Sequence, residues 1–103
     1  MEHIIFISEI LNDNPNREAP VEVVVTADAN YDPATQKVGV ALDSFVRRAS
    51  ASGDGEHLPA PWLPREQLVN EHLAHEEAAD FAKDVFRRWV KKVRELIPHE
   101  LMT

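Results

Sequence analysis

The histidines His72 and His75 are the residues with the most chemical reach in this chain, three apart and flanked by Glu71 and Glu76. On a helix that spacing projects both rings to one side and suits zinc or another divalent ion. No third histidine follows at a helical offset, and neither HExxH nor the ExxH of di-iron bundles is present. The pair therefore reads as a junction or interior His75 with a hydrogen-bonded ring and a half-exposed His72. No metal or other cofactor is expected.

Asp28-x-Asn30-x-Asp32 imitates the first three ligands of an EF-hand calcium loop. The sixth position of such a loop needs glycine for its bend and is Pro33, while the twelfth needs a bidentate glutamate and is Gly39. An Asx-rich hairpin turn explains the triplet better. Pro61-x-x-Pro64 followed by Arg65 matches the minimal ligand of polyproline-reading domains. A strap that packs Trp62 onto the sheet or helix accounts for the same residues.

Arg87, Arg88, Lys91, Lys92 and Arg94 put five bases on two helical turns. Such a ridge can meet the phosphates of nucleic acid, a nucleotide or lipid headgroups. Glu66, Glu71, Glu76, Glu77, Asp80 and Asp84 precede it, an order that complements the helix macrodipole and supplies neighbours along the face. No glycine-rich phosphate cradle and no aromatic-basic interleaving accompany the ridge. Nucleic-acid binding through Arg87, Arg88, Lys91 and Lys92 is thus the secondary expectation. Catalysis is not expected: cysteine is absent, no Gly-x-Ser-x-Gly elbow occurs, and Ser44, Ser50 and Ser52 have no partner placed by a recognised motif.

The elements that must position these residues follow from pattern. The 103 residues fit one domain with a small core, and 44% hydrophobic content is that of a globular fold. Net charge is -7, with ten acids against four bases in residues 1–64 and eight against seven in 65–103. An acidic body disfavours indiscriminate binding to nucleic acid or anionic lipid. The absence of cysteine favours a reducing, cytoplasmic address. The N-terminus lacks a basic n-region, Ser8-Glu9 interrupts Ile4–Ile7, and no window approaches the roughly 18 apolar residues of a membrane span. The chain is expected to be soluble, its N-terminus mature sequence, with no membrane partner.

Val21–Ala27 is β-branched almost throughout, and Lys37–Phe45 alternates Val38, Val40 and Leu42 against Gly39, Ala41 and Asp43. Both read as strands, joined by the turn-tolerant Asp28–Thr35 and paired antiparallel. His3–Leu11 also favours a strand, although Ile4, Phe6, Ile7, Ile10 and Leu11 gather loosely on one helical face. Asn12–Asn16 breaks it. Residues 47–56 read as a flexible surface loop, and Leu58–Pro64 as a stiff polyproline strap that delivers Pro64 to the first turn of a helix.

From Arg65 to Ile97 there is neither glycine nor proline, and Pro98 follows. A straight helix of that length would span roughly 50 Å, more than a small domain's diameter of roughly 30 Å. Ala79, Ala82, Phe86, Trp89, Val93 and Leu96 form one stripe, while Val69 and Leu73 point away from it. A kink or break between Asn70 and Glu76 is therefore expected.

The resulting fold class is α+β, a small antiparallel meander of two to three strands packed against a long, kinked C-terminal helix. Residues 1–48 form the sheet, 49–64 the loop and strap, and 65–97 the helix. One helix covers only one face of a sheet, while Val24 and Phe45 project from the other. The expected function is a non-catalytic cytosolic interaction module. It self-associates as a homodimer or docks a protein partner through Val24, Phe45, Val69 and Leu73.

Overall fold

The computed structural model describes residues 2–13, 21–48 and 55–98. Among these residues five strands, β1 (Glu2–Asp13), β2 (Val21–Asp32), β3 (Lys37–Arg48), β4 (His57–Leu58) and β5 (Glu66–Asn70), precede one helix, α1 (His75–Leu96). The strands form a single antiparallel sheet in the order β1-β2-β3, with β4 and β5 both on the far side of β3. The class is α+β. The helix lies across β1, β2 and β3 on one face.

The first three strands pair as the alternation of their residues requires. β2 and β3 run in unbroken register from Val21 opposite Arg48 to Asp32 opposite Lys37. The ambiguous N-terminal segment is a strand, because its β-branched residues extend the sheet along β2, with register shifts between His3 and Ile5 and between Ile10 and Asn12. The hairpin is tighter than composition suggests: Asp28–Asp32 remains in β2 and only residues 33–36 turn. Asp32 Oδ1 accepts the Ala34 N–H at 3.0 Å, and Gln36 closes the turn at a φ of 55°.

The expected helix over residues 65–97 is corrected in its first third. Glu66–Asn70 is a strand that pairs antiparallel with Val38–Leu42 and supplies that stretch of β3 with hydrogen-bonding partners on its outer side. The chain breaks between Asn70 and Glu76, where Asn70 Oδ1 accepts the Glu71 N–H and His72 reverses direction at a φ of 61°. Pro64 accordingly precedes a strand rather than a helix, and the strap turns at Pro61 and Trp62, where the Leu63 N–H bonds the Ala60 carbonyl at 3.0 Å.

The helix begins at His75 because Ala74 adopts an extended conformation and the Glu77 carboxylate accepts its N–H at 3.0 Å. Ala74 itself has no side-chain oxygen to return the bond. The buried stripe is Ala78, Ala82, Val85, Phe86, Trp89, Val90 and Val93. It differs from the expected stripe at its ends, since Ala78 is more deeply buried than Ala79 and Leu96 is 42% exposed. This stripe closes on Val23, Val25, Ala27, Ala29 and Tyr31 of β2 and on Val38, Val40, Leu42 and Val46 of β3, and Leu58, Ala60, Trp62 and Leu63 of the strap pack on the same core. The loop expected over residues 47–56 lies largely outside the described residues, although Arg47 and Arg48 belong to β3 and the Arg48 N–H bonds the Glu56 carbonyl at 2.9 Å.

Candidate functional site: the open face of the sheet

Both helix and strap sit on one side of the sheet, and among the described residues no element covers the other. The extents of 50 × 27 × 20 Å agree, since 20 Å accommodates one sheet and one helix layer. On this open face, register brings Ile10, Val24 and Phe45 into one row and Ser8, Thr26 and Asp43 into the next. Phe6, Asp28, Ala41 and Gln67 follow, and Asn30, Gly39 and Val69 lie beyond them. Val69 is 60% exposed, Phe6 58% and Ile10 44%. A shallow trough runs over Gly39 and Ala41, with Asp28 and Asn30 on one bank and Gln67 and Val69 on the other.

The four residues expected to bind a partner do not form one patch. Val69 stands out on β5, at the edge of the trough. Val24 is on the open face but buried between its neighbours Ile10 and Phe45, and Phe45 is half-buried under the His57 ring, stacked at 4.4 Å with Arg47 beside it. Leu73 turns inward: it packs on the core, its N–H bonds the Gln36 carbonyl at 3.1 Å, and its own carbonyl accepts the Tyr31 hydroxyl at 2.6 Å. Phe6 and Ile10 were missed by sequence reasoning. The near-continuous apolar run Ile4–Ile7 with Ile10 and Leu11 puts apolar residues on both faces of a strand, and which of them stay exposed is decided only once β1 is placed against β2 and the helix.

The other candidate chemistries are dispersed by the fold. His72 and His75 do not share a helix: His72 occupies the reversal before α1, and His75 opens the helix, where its Nε2 lies 3.3 Å from Glu2 and its ring meets Tyr31 edge-on. Asp28, Asn30 and Asp32 alternate along β2 instead of wrapping a turn, and His3 Nε2 lies 2.8 Å from Asp28. Among the described residues no group of three or more histidine, cysteine, aspartate or glutamate side chains is arranged to hold a metal ion.

The basic ridge of α1 is largely paired. Arg88 bonds Asp84, Lys92 bonds Glu66 of β5, and Arg94 lies 3.9 Å from Glu9 of β1. Arg87 and Lys91 have no partner among the described residues. They line a groove between helix and β1 whose floor includes Phe86 and Val90. Among the described residues no helix is long and apolar enough to cross a membrane. Compared with protein-family models, with curated proteins and with solved structures, the chain matches none.

Proposed function

We propose that the chain is a non-catalytic protein-interaction module that self-associates or docks a protein partner through the open side of its sheet. One observation carries this: a two-layer fold whose second sheet face, uncovered among the described residues, leaves Phe6, Ile10 and Val69 exposed. Scattered apolar side chains are ordinary on a surface, but three on one sheet face with no covering layer are what an interface requires. A cysteine-free sequence is consistent with action in a reducing compartment such as the cytoplasm. The nucleic-acid alternative has less support, because three of the five ridge bases are engaged by acids of the same chain.

The test is sedimentation over a concentration series together with binding of an apolar dye, for the wild type and for a Phe6→Glu, Val69→Glu double variant. The expected result is a dimer-sized species or dye uptake in the wild type, either of them lost in the variant. A monodisperse monomer that takes up no dye overturns the proposal.

A further inference from the structure

On the reading of the chain as an interaction module, we infer that its partner is a second copy of itself, joined antiparallel along the outer edge of β1 about a two-fold axis at Ser8. Among the described residues β1 pairs only with β2 and nothing occupies its other edge. Natural sheets guard such edges with lysine, proline or bulges. Here the bulges sit only at the two ends, leaving Ile5 to Ile10 regularly paired with β2 from Ala29 to Val24. That stretch, Ile-Phe-Ile-Ser-Glu-Ile, contains neither lysine nor proline. Its one charge, Glu9, lies toward Arg94 of its own helix, and the backbone edge is open to strand addition.

The sequence of the stretch is complementary to itself in one register. With Ser8 opposite Ser8, Phe6 of each copy falls opposite Ile10 of the other on the open face. The two exposed apolar side chains of the strand then cover one another in aromatic-to-β-branched pairs. On the helix side, Glu9 of each copy falls beside Ile7 of the other. There it approaches the flank where that copy's Arg87 and Lys91 lack partners. Hydrophobic cover and charge complementarity thus agree on a single isologous geometry. An edge contact of about six residues is small, so the dimer is expected to be weak and concentration-dependent.

Cysteine is absent from the chain, so one introduced thiol reports the register cleanly. Residues directly opposed on antiparallel strands have Cα atoms about 4.5–5.5 Å apart, within the range of about 4.4–6.8 Å that a disulfide tolerates. Ser8→Cys protein at tens of micromolar is expected to become largely covalent dimer under mild oxidation. Phe6→Cys protein is not, since its two thiols would lie about 14 Å apart along the strand. An equimolar mixture of Phe6→Cys and Ile10→Cys should cross-link as the mixed dimer. Ser8→Lys, an exposed substitution that sets two ammonium groups face to face, should shift sedimentation to monomer with unchanged circular dichroism.

Dimers in sedimentation that Ser8→Cys fails to trap, or that Ser8→Lys leaves intact, overturn pairing along β1 while the interaction-module reading stands. A monomer that still takes up apolar dye overturns self-pairing and leaves a different protein as the partner. A monomer without dye uptake overturns both.

Discussion

Tyr31 joins three elements through one side chain. Its hydroxyl, carried on β2, donates to the Leu73 carbonyl at 2.6 Å, and its ring meets His75 at the start of α1. Tyr31→Phe keeps the ring and removes the bond, leaving a part-buried carbonyl without its donor. A loss of about 1 kcal/mol in urea unfolding is expected. Trp89 plays the same part at the other end of the core, with its indole N–H on the Asp43 carbonyl at 3.0 Å. Two glycines offer opposite outcomes. A Cβ at Gly55 would stand 1.6 Å from the Arg48 carbonyl oxygen, so Gly55→Ala must displace the β3 end and should lose about 1–3 kcal/mol. A Cβ at Gly39 meets nothing within 4 Å, so Gly39→Ala should gain about 0.5–1 kcal/mol by stiffening the unfolded chain. Thermal melts of the two variants side by side check the contrast.

At the scale of elements, the start of α1 is the least finished feature. Glu77 caps the Ala74 N–H, but Ala74 returns nothing to the first-turn N–H groups, although its backbone already has the extended geometry of a cap. Ala74→Ser or Ala74→Asp should complete the reciprocal pair and raise stability by about 1 kcal/mol, measured by chemical unfolding. No such gain is expected from a new acid or base on the ridge. Exposed pairs such as Arg88 with Asp84 contribute between nothing and about 1 kcal/mol. The strand β5 shows how an element is decided from outside itself. Gln67, Leu68 and Val69 suit a strand as readily as a helix. Residues 38–42 of β3 leave one row of amides unpaired unless this segment supplies the partners.

For the whole molecule, core and open face are separable. The main core cluster lies on the side of the sheet covered by the helix and the strap, with Val24 the one buried apolar residue on the open face among the described residues. Phe6→Lys and Val69→Lys should therefore each change stability by no more than about 0.5 kcal/mol, with Phe6→Lys suppressing association and both lowering dye binding. Parallel urea titration and sedimentation of the same variants test this. If either lysine unfolds the protein, the open face is part of its stability and not a surface held in reserve. The net charge of -7 adds self-repulsion between the acidic bodies, which keeps any edge-to-edge dimer weak.

The chain's own residues determined the class of fold, the antiparallel strands centred on Val21–Ala27 and Lys37–Phe45, the amphipathic run ending before Pro98, and a break between Asn70 and Glu76. Each of these rests on local periodicity or on a residue whose backbone admits few conformations. Only the tertiary structure decided that residues 66–70 pair as a strand, that Leu73 turns inward, that His72 and His75 part company, and that Phe6 and Ile10 share the exposed side with Val69. Those outcomes depend on which hydrogen-bonding edge lacks a neighbour and which side of the sheet the helix covers. Such conditions are set by residues distant in sequence, such as Leu42 for Glu66 and Tyr31 for Leu73, and no short window of sequence contains them.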